Sequence, residues 1–429
     1  MPQRGPGDGT AAGAARPLAG LAAAAAAELE PAFAAIAAAE AETLADMRAV
    51  TAIPAPSGGE GARGRWFAQR LEQTLAVPAE VDGAGNVLLL WGAGDVSQPI
   101  VLAAHLDTVF PGDTALEVRE QGGRLFAPGI SDNSRGLAAL LRLAAVLPLF
   151  PPLAHPVLLA ATVGEEGVGD LRGVKHLFHE RALRPAAFLA VDGAGLNRIV
   201  HRAVGSRRLR VRITGPGGHS WSDRGLPNPV HALAAAVAAL ASLRPASDDD
   251  VALNVGRIGG GTSVNAIPQE AWLELDLRSE SADAVAQLER AARARFAAAA
   301  APPLALETSL MGDRPGGVIP ADHPLVLAAR AATVHLGGNP ELAASSTDAN
   351  VPLALGVPAI ALGAGGEAGG MHTVGEWYHN ERGAAGLQRL ALTVVLADRL
   401  LAVAQLDRGV IAQADRAARV PHDDVVADQ

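Results

Sequence analysis

Acidic and histidine residues gather where apolar runs of this chain end. Ile100 to Ala104 runs into His105-Leu106-Asp107, Pro156 to Val163 into Gly164-Glu165-Glu166, and Ala187 to Val191 into Asp192-Gly193. A further run, Ala359 to Leu362, leads through a glycine-rich stretch to His372. Carboxylates brought together away from water repel one another and resist desolvation unless cations neutralise them. Two divalent ions roughly 3.5–4 Å apart would do so. One carboxylate has to bridge such a pair. Asp132, in the glycine-flanked turn Gly129-Ile130-Ser131-Asp132-Asn133, is a candidate. The chain has no cysteine, so thiolate ligands are excluded, and imidazole with carboxylate suits Zn, Mn or Co.

The elements that must position these groups read as an α/β fold. The continuous apolar runs suit central strands buried on both faces, and helical stretches such as Arg135 to Leu147 lie between them. In open α/β sheets ligands bind beyond the carboxyl ends of the strands, where these acids and histidines fall. A helix is expected from Pro31 to about Val50, and a second from Gly61 to Leu75. Residues 205–310 change character. Strands at Arg207 to Thr214, Val251 to Ile258, Gln269 to Arg278 and Leu304 to Ser309 are interleaved with helices at Asn228 to Leu243 and Ala282 to Ala299. That βαββαβ order is ferredoxin-like and marks a small domain inserted into the larger one. The expected division is a disordered Ala/Gly-rich tail over 1–28, a metal-binding catalytic domain over 29–204 and 311–429, and the inserted domain over 205–310. The run Asp248-Asp249-Asp250 is expected to be a solvated turn of that domain.

The net charge of −10, from 35 basic and 45 acidic residues, argues against a nucleic-acid partner. No stretch approaches the ~20 strongly apolar residues of a membrane span, and the alanine run after Arg16 makes a poor leader. A cytoplasmic location is the corresponding expectation. Of the other histidines, His155 is expected in a turn before Pro156, and His201 and His379, among those with no partner in the strand-end pattern, are expected to be surface or capping residues.

The motifs together resemble the M20 family of metallopeptidases, in its peptidase T-like, tripeptide aminopeptidase-like branch. The resemblance rests on His105-Leu106-Asp107-Thr108-Val109, Gly129-Ile130-Ser131-Asp132-Asn133, Gly164-Glu165-Glu166-Gly167 and Val191-Asp192-Gly193. It rests further on Gly215-Pro216-Gly217-Gly218-His219-Ser220, the segment Gly261 to Pro268, Ser346-Thr347-Asp348-Ala349-Asn350 and Gly370-Met371-His372. It implies a zinc-peptidase-like catalytic domain, with a mixed central sheet flanked by helices and an inserted lid and dimerisation domain. His105 and Asp192 would hold one ion, Glu166 and His372 the other, and Asp132 would bridge. Asp107 would accept a hydrogen bond from the free ring nitrogen of His105. Glu165 would be the general base, and His219 would help hold the oxyanion, in the site of a partner subunit if the chain is a homodimer. Asn265 and Arg278 would bind the substrate, Arg278 through a carboxylate.

Many relatives have Asp-Asp or Asp-Lys where this chain has Asp132-Asn133. The position of Asp192 is Glu in many carboxypeptidase-like relatives, and Asp there resembles the aminopeptidase and dipeptidase side. The reading is therefore a hydrolase of short peptides. An amidohydrolase of N-acyl or N-carbamoyl amino acids is the alternative. A non-catalytic binding protein on the same fold is a further one, which would be expected to have lost Glu165 or a ligand.

Overall fold

The computed structural model describes residues 9–241, 243 and 251–418, so Asp248 to Asp250 lie outside the described residues. The apolar runs form the middle of a mixed nine-stranded sheet. Its order is Glu80–Val81, Val87–Trp91, Val157–Thr162, Ile100–His105, Ala187–Val191, Ala359–Leu362, Arg198–Ala203 and Gly317–Val318, with Glu341–Ser345 also paired to Arg198–Ala203. The four strands from Val157–Thr162 to Ala359–Leu362 are mutually parallel. Each is buried at every position, which is why it reads as an unbroken apolar run rather than an alternating one.

Helices cover both faces of the sheet. Ser134–Val146 packs against Glu40–Thr51 and Gly61–Leu75, and the long closing helix Gly383–Ala418 packs against Pro324–His335. The helix expected from Pro31 to Val50 is two, Glu30–Ala38 and Glu40–Thr51, broken at Ala39. Arg63, on Gly61–Leu75, is fully buried, and its guanidinium donates to the carbonyls of Ile53 and Leu106. It thereby ties the loop before that helix to the end of the His105 strand.

The expected disordered tail is corrected over 9–28. Gly9–Glu28 is a helix, and Ala22, Ala25 and Ala26 are buried against Pro324–His335 and the closing helix. Alanine is the strongest helix former, and its small side chain lets helices approach closely, so a run without strong apolar residues still packs. Residues 1–8 of that segment lie outside the described residues. No single helix among the described residues is long and apolar enough to cross a membrane.

The inserted unit has a core of its own, separate from that of the large sheet. Its four strands pair antiparallel in the order Val251–Gly260, Glu270–Ser279, Gly205–Thr214 and Ala305–Arg314. Burial alternates strictly along Glu270–Ser279, with Ala271, Leu273, Leu275 and Leu277 inward, so one face of this sheet lies under the two helices. The last strand runs on to Arg314, past the expected end of the insertion.

Candidate metal centre

Because the central strands are parallel neighbours, their carboxyl ends meet at one edge of the sheet. His105 ends its strand directly opposite Thr162, three residues before Glu165. Asp192 follows Val191, whose strand pairs on one side with Ile100–His105 and on the other with Ala359–Leu362. His372 arrives differently, at the tip of a hairpin formed by Glu367–Gly369 and Trp377–His379. This hairpin belongs to a small four-stranded sheet that sequence reasoning missed, because three-residue strands are too short to show a period.

Asp132 sits between two histidines. Its Oδ1 is 3.0 Å from Nε2 of His105, and its Oδ2 is 3.0 Å from Nε2 of His372. Asp192 Oδ1 lies 3.9 Å from the same nitrogen of His105, and Glu166 Oε1 lies 3.2 Å from that of His372. Two ligand sets result, His105/Asp132/Asp192 and Asp132/Glu166/His372, each with donor atoms within 4.8 Å of one another. They share Asp132 and bring together the five residues named from the sequence, in groups that could each hold a metal ion.

Supporting residues fix this turn and its neighbours. Glu376 accepts hydrogen bonds from the backbone N–H groups of Gly129, Ser131 and Asp132 at 2.8, 2.8 and 3.0 Å, and from the Ser131 hydroxyl. Gly129 has φ +73°, and a Cβ there would stand 2.7 Å from the Thr108 side chain, so only glycine fits. Asn133 caps the helix that follows, accepting from Gly136 N, and also accepts from Gly193 N while donating to Val191 O. An Asp there could not make that donation, so Asn133 links the Asp132 turn to the strand end bearing Asp192.

Asp107 stands beside His105 as expected, and its carboxylate has further partners. The Nδ1 of His105 is 3.0 Å from the main-chain oxygen of Asp107 and 3.6 Å from its carboxylate. The carbonyl, not the side chain, is the nearer partner of that ring nitrogen. The carboxylate also accepts from the N–H groups of Glu165 and Glu166, each at 2.9 Å, and from the Ser57 hydroxyl at 2.6 Å. It anchors the turn that presents both glutamates.

The electrostatics suit bound cations. Burial and the charge of Asp132 push Asp192 up to about 7, and burial pushes Glu165 well above the carboxylate range although Arg314 opposes it. Hydrogen bonds to Asp132 and Glu166 hold His372 up to about 10. Burial works against the charge on Asp132, but the two histidines keep its carboxyl well below the usual range. Acids this close resist full ionisation, and divalent cations would relieve that resistance. The donor set therefore fits two ions of the Zn, Mn or Co type.

If Glu376 serves as this support, Glu376→Gln is expected to weaken metal binding by ~10–100-fold, because the new amide turns an N–H donor toward one of the three N–H groups it must accept from. Competition against a chromophoric chelator measures this. Unchanged affinity in a folded variant would assign Glu376 no such support.

Asp132, Glu165, Glu166, Asp192 and His372 line a cavity of about 420 Å³. Arg278 lines it too, as do Arg198, Arg208 and Arg314, which carried no signal in the sequence because their roles depend on which segments fold together. His219 and Asn265 do not line it. Both are exposed on the inserted domain, with His219 Nδ1 accepting from the N–H groups of Trp221 and Ser222 and Asn265 accepting from the Ser263 hydroxyl. Two of the other histidines are buried, His155 in its expected turn and His201 against expectation. His155 is buried against Asp398 at 2.8 Å, and His201 is buried with Nδ1 2.7 Å from Ile319 O.

The sequence profile of Peptidase family M20/M25/M40 matches residues 101–395, more than half of the chain. The chain belongs to this family. Its members are hydrolases of peptide or related amide bonds, and this chain is an enzyme of that kind. A succinyl-diaminopimelate desuccinylase of Corynebacterium glutamicum is 29% identical over 238 residues, covering 53% of this chain and 63% of that protein. The match thus spans less than two thirds of that relative's length. Aminopeptidase PepT of Bacillus cereus superimposes with a TM-score of 0.66 at 22% identity, covering 84% of this chain and 98% of its own. A dinuclear metal-binding M20 peptidase of Bacillus subtilis gives 0.61 at 16% identity, covering 84% and 98%. These M20 structures share the fold, inserted domain included.

Proposed function

We propose that this M20 enzyme is a two-metal hydrolase of short peptides, which releases N-terminal residues from di- or tripeptides. The observation that carries the reading is Asp132, with one carboxylate oxygen on each of two His-carboxylate pairs. His105, Asp132 and Asp192 would hold one divalent ion and Asp132, Glu166 and His372 the other. Zinc is the first choice for this nitrogen and oxygen set, with Co or Mn as substitutes. Such a pair supplies Lewis acidity to the scissile carbonyl and lowers the pKa of the attacking water.

The chain's own groups do the rest. Glu165, buried at the cavity wall, takes a proton from the attacking water and delivers it to the leaving amine nitrogen. Asp107 keeps Glu165 and Glu166 on one turn but pointed to different tasks. Arg278, on the cavity wall, would pair with a substrate carboxylate. His219 and Asn265, exposed and away from this cavity, would serve the cavity of a second copy in a homodimer formed through the inserted domain.

An amidohydrolase of N-acyl amino acids is the second reading, favoured by the similarity to a desuccinylase. One experiment addresses both. Metal content is measured by mass spectrometry, and a panel of dipeptides, tripeptides and N-acyl or N-carbamoyl amino acids is assayed before and after chelation. The expected result is two ions per chain, peptide cleavage lost on chelation, and recovery with Zn, Mn or Co. Cleavage of N-acyl substrates alone would select the second reading. A metal-free hydrolase indifferent to chelators would overturn both.

A further inference from the structure

The side chain that holds Glu165 comes from the inserted domain. Arg314 ends the strand Ala305–Arg314, and its side chain is only 5% exposed. Its Nη1 donates to Glu165 Oε1 at 3.1 Å and to the Ser346 hydroxyl at 3.2 Å, while Nη2 donates to the main-chain oxygen of Glu165. Among the described residues, no other side chain hydrogen-bonds that carboxylate. The same turn is gripped twice more by strands of the inserted domain. Asp313 N donates to Asp170 Oδ1 at 2.8 Å, and Arg208 donates to the Gly167 carbonyl. Nearby, Asp276 pairs with both Arg208 and Arg278, while Arg314 pairs with Glu165.

Glu165 needs such a restraint. Its carboxylate forms a group with His105 and Glu166 whose donor atoms lie within 4.8 Å of one another, so it stands within reach of becoming a metal ligand itself. A carboxylate spent on a cation is a poor proton acceptor. Arg314 competes for the oxygen that would move, and its fork fixes the main chain and the side chain of Glu165 together. A lysine presents a point charge and cannot reproduce both contacts in that geometry.

We propose that Arg314 is a positioning residue that keeps the Glu165 carboxylate off the cation cluster, leaving it free to carry protons. Being part of the inserted domain, it makes the placement of Glu165 depend on how that domain is seated. The proposal rests on the reading of the cluster as a site for divalent cations.

The test uses the full chain loaded with Co²⁺, as wild type, Arg314→Ala and Arg314→Lys. For Arg314→Ala the visible absorption of bound Co²⁺ is expected to weaken, as an added carboxylate raises the coordination number, with metal affinity equal or tighter. On a substrate the wild type cleaves, kcat is expected to fall about 10²-fold with KM little changed, and guanidinium in the buffer to restore part of it. Arg314→Lys, which keeps the charge, is expected to fall between the two and guards against a fold defect in the alanine variant. Variants with wild-type spectra and kcat would overturn this proposal alone. A wild type that takes up no Co²⁺ would overturn it together with the metal reading.

Discussion

Replacing Glu165 by Gln is expected to lower kcat by about 10²–10⁴-fold, the range a positioned acid-base group contributes, while the protein keeps its metal ions. The amide is nearly the same size and can still accept from Arg314 through its oxygen. It cannot take up the water's proton. The ions should stay because Glu165 belongs to neither of the two sets that share Asp132. Steady-state kinetics beside metal analysis of the same sample decides the matter. Loss of metal along with activity would make Glu165 a ligand, and a variant with wild-type kcat would remove it from the proton path.

Asp132→Ala should do more damage, because it removes an oxygen from both metal sets at once. The expected outcome is a protein that dialyses to less than one ion per chain and has no detectable turnover. Its affinity loss should exceed the ~10–100-fold that removal of a mere supporting residue costs. Asp192→Asn is the control, since it touches one set only and should leave one ion in place. Equal metal content in the two variants would deny Asp132 its bridging place. Circular dichroism separates either result from unfolding.

Much of this site was legible in the sequence, and the reasons are physical. Parallel strands covered on both faces have to be apolar at every position, so their ends stand out, and an acid or histidine placed just beyond such an end is conspicuous. The inserted domain was legible for the complementary reason, since a sheet covered on one face alternates, as Glu270–Ser279 does. What escaped notice acts through partners that sequence order does not reveal. Asp107 is legible as a neighbour of His105, but its carboxylate also holds the N–H groups of residues nearly sixty positions away. Glu376 and Arg314 belong to no motif, and each holds a segment more than a hundred residues distant. The amino-terminal helix was hidden by composition, because alanine packs without producing an apolar stripe.

The dispersal of the candidate ligands along the chain has a consequence for the protein's survival. His105 and His372 are brought together only by the finished sheet and its hairpin, so an unfolded chain cannot assemble either binding set. Ions that bind only the native state stabilise it by mass action, by about 2.7 kcal/mol at a hundredfold excess over Kd. Where divalent metal is scarce, the chain would spend more time open to proteases. Starvation for the ion would then cut the number of enzyme molecules as well as the work each one does.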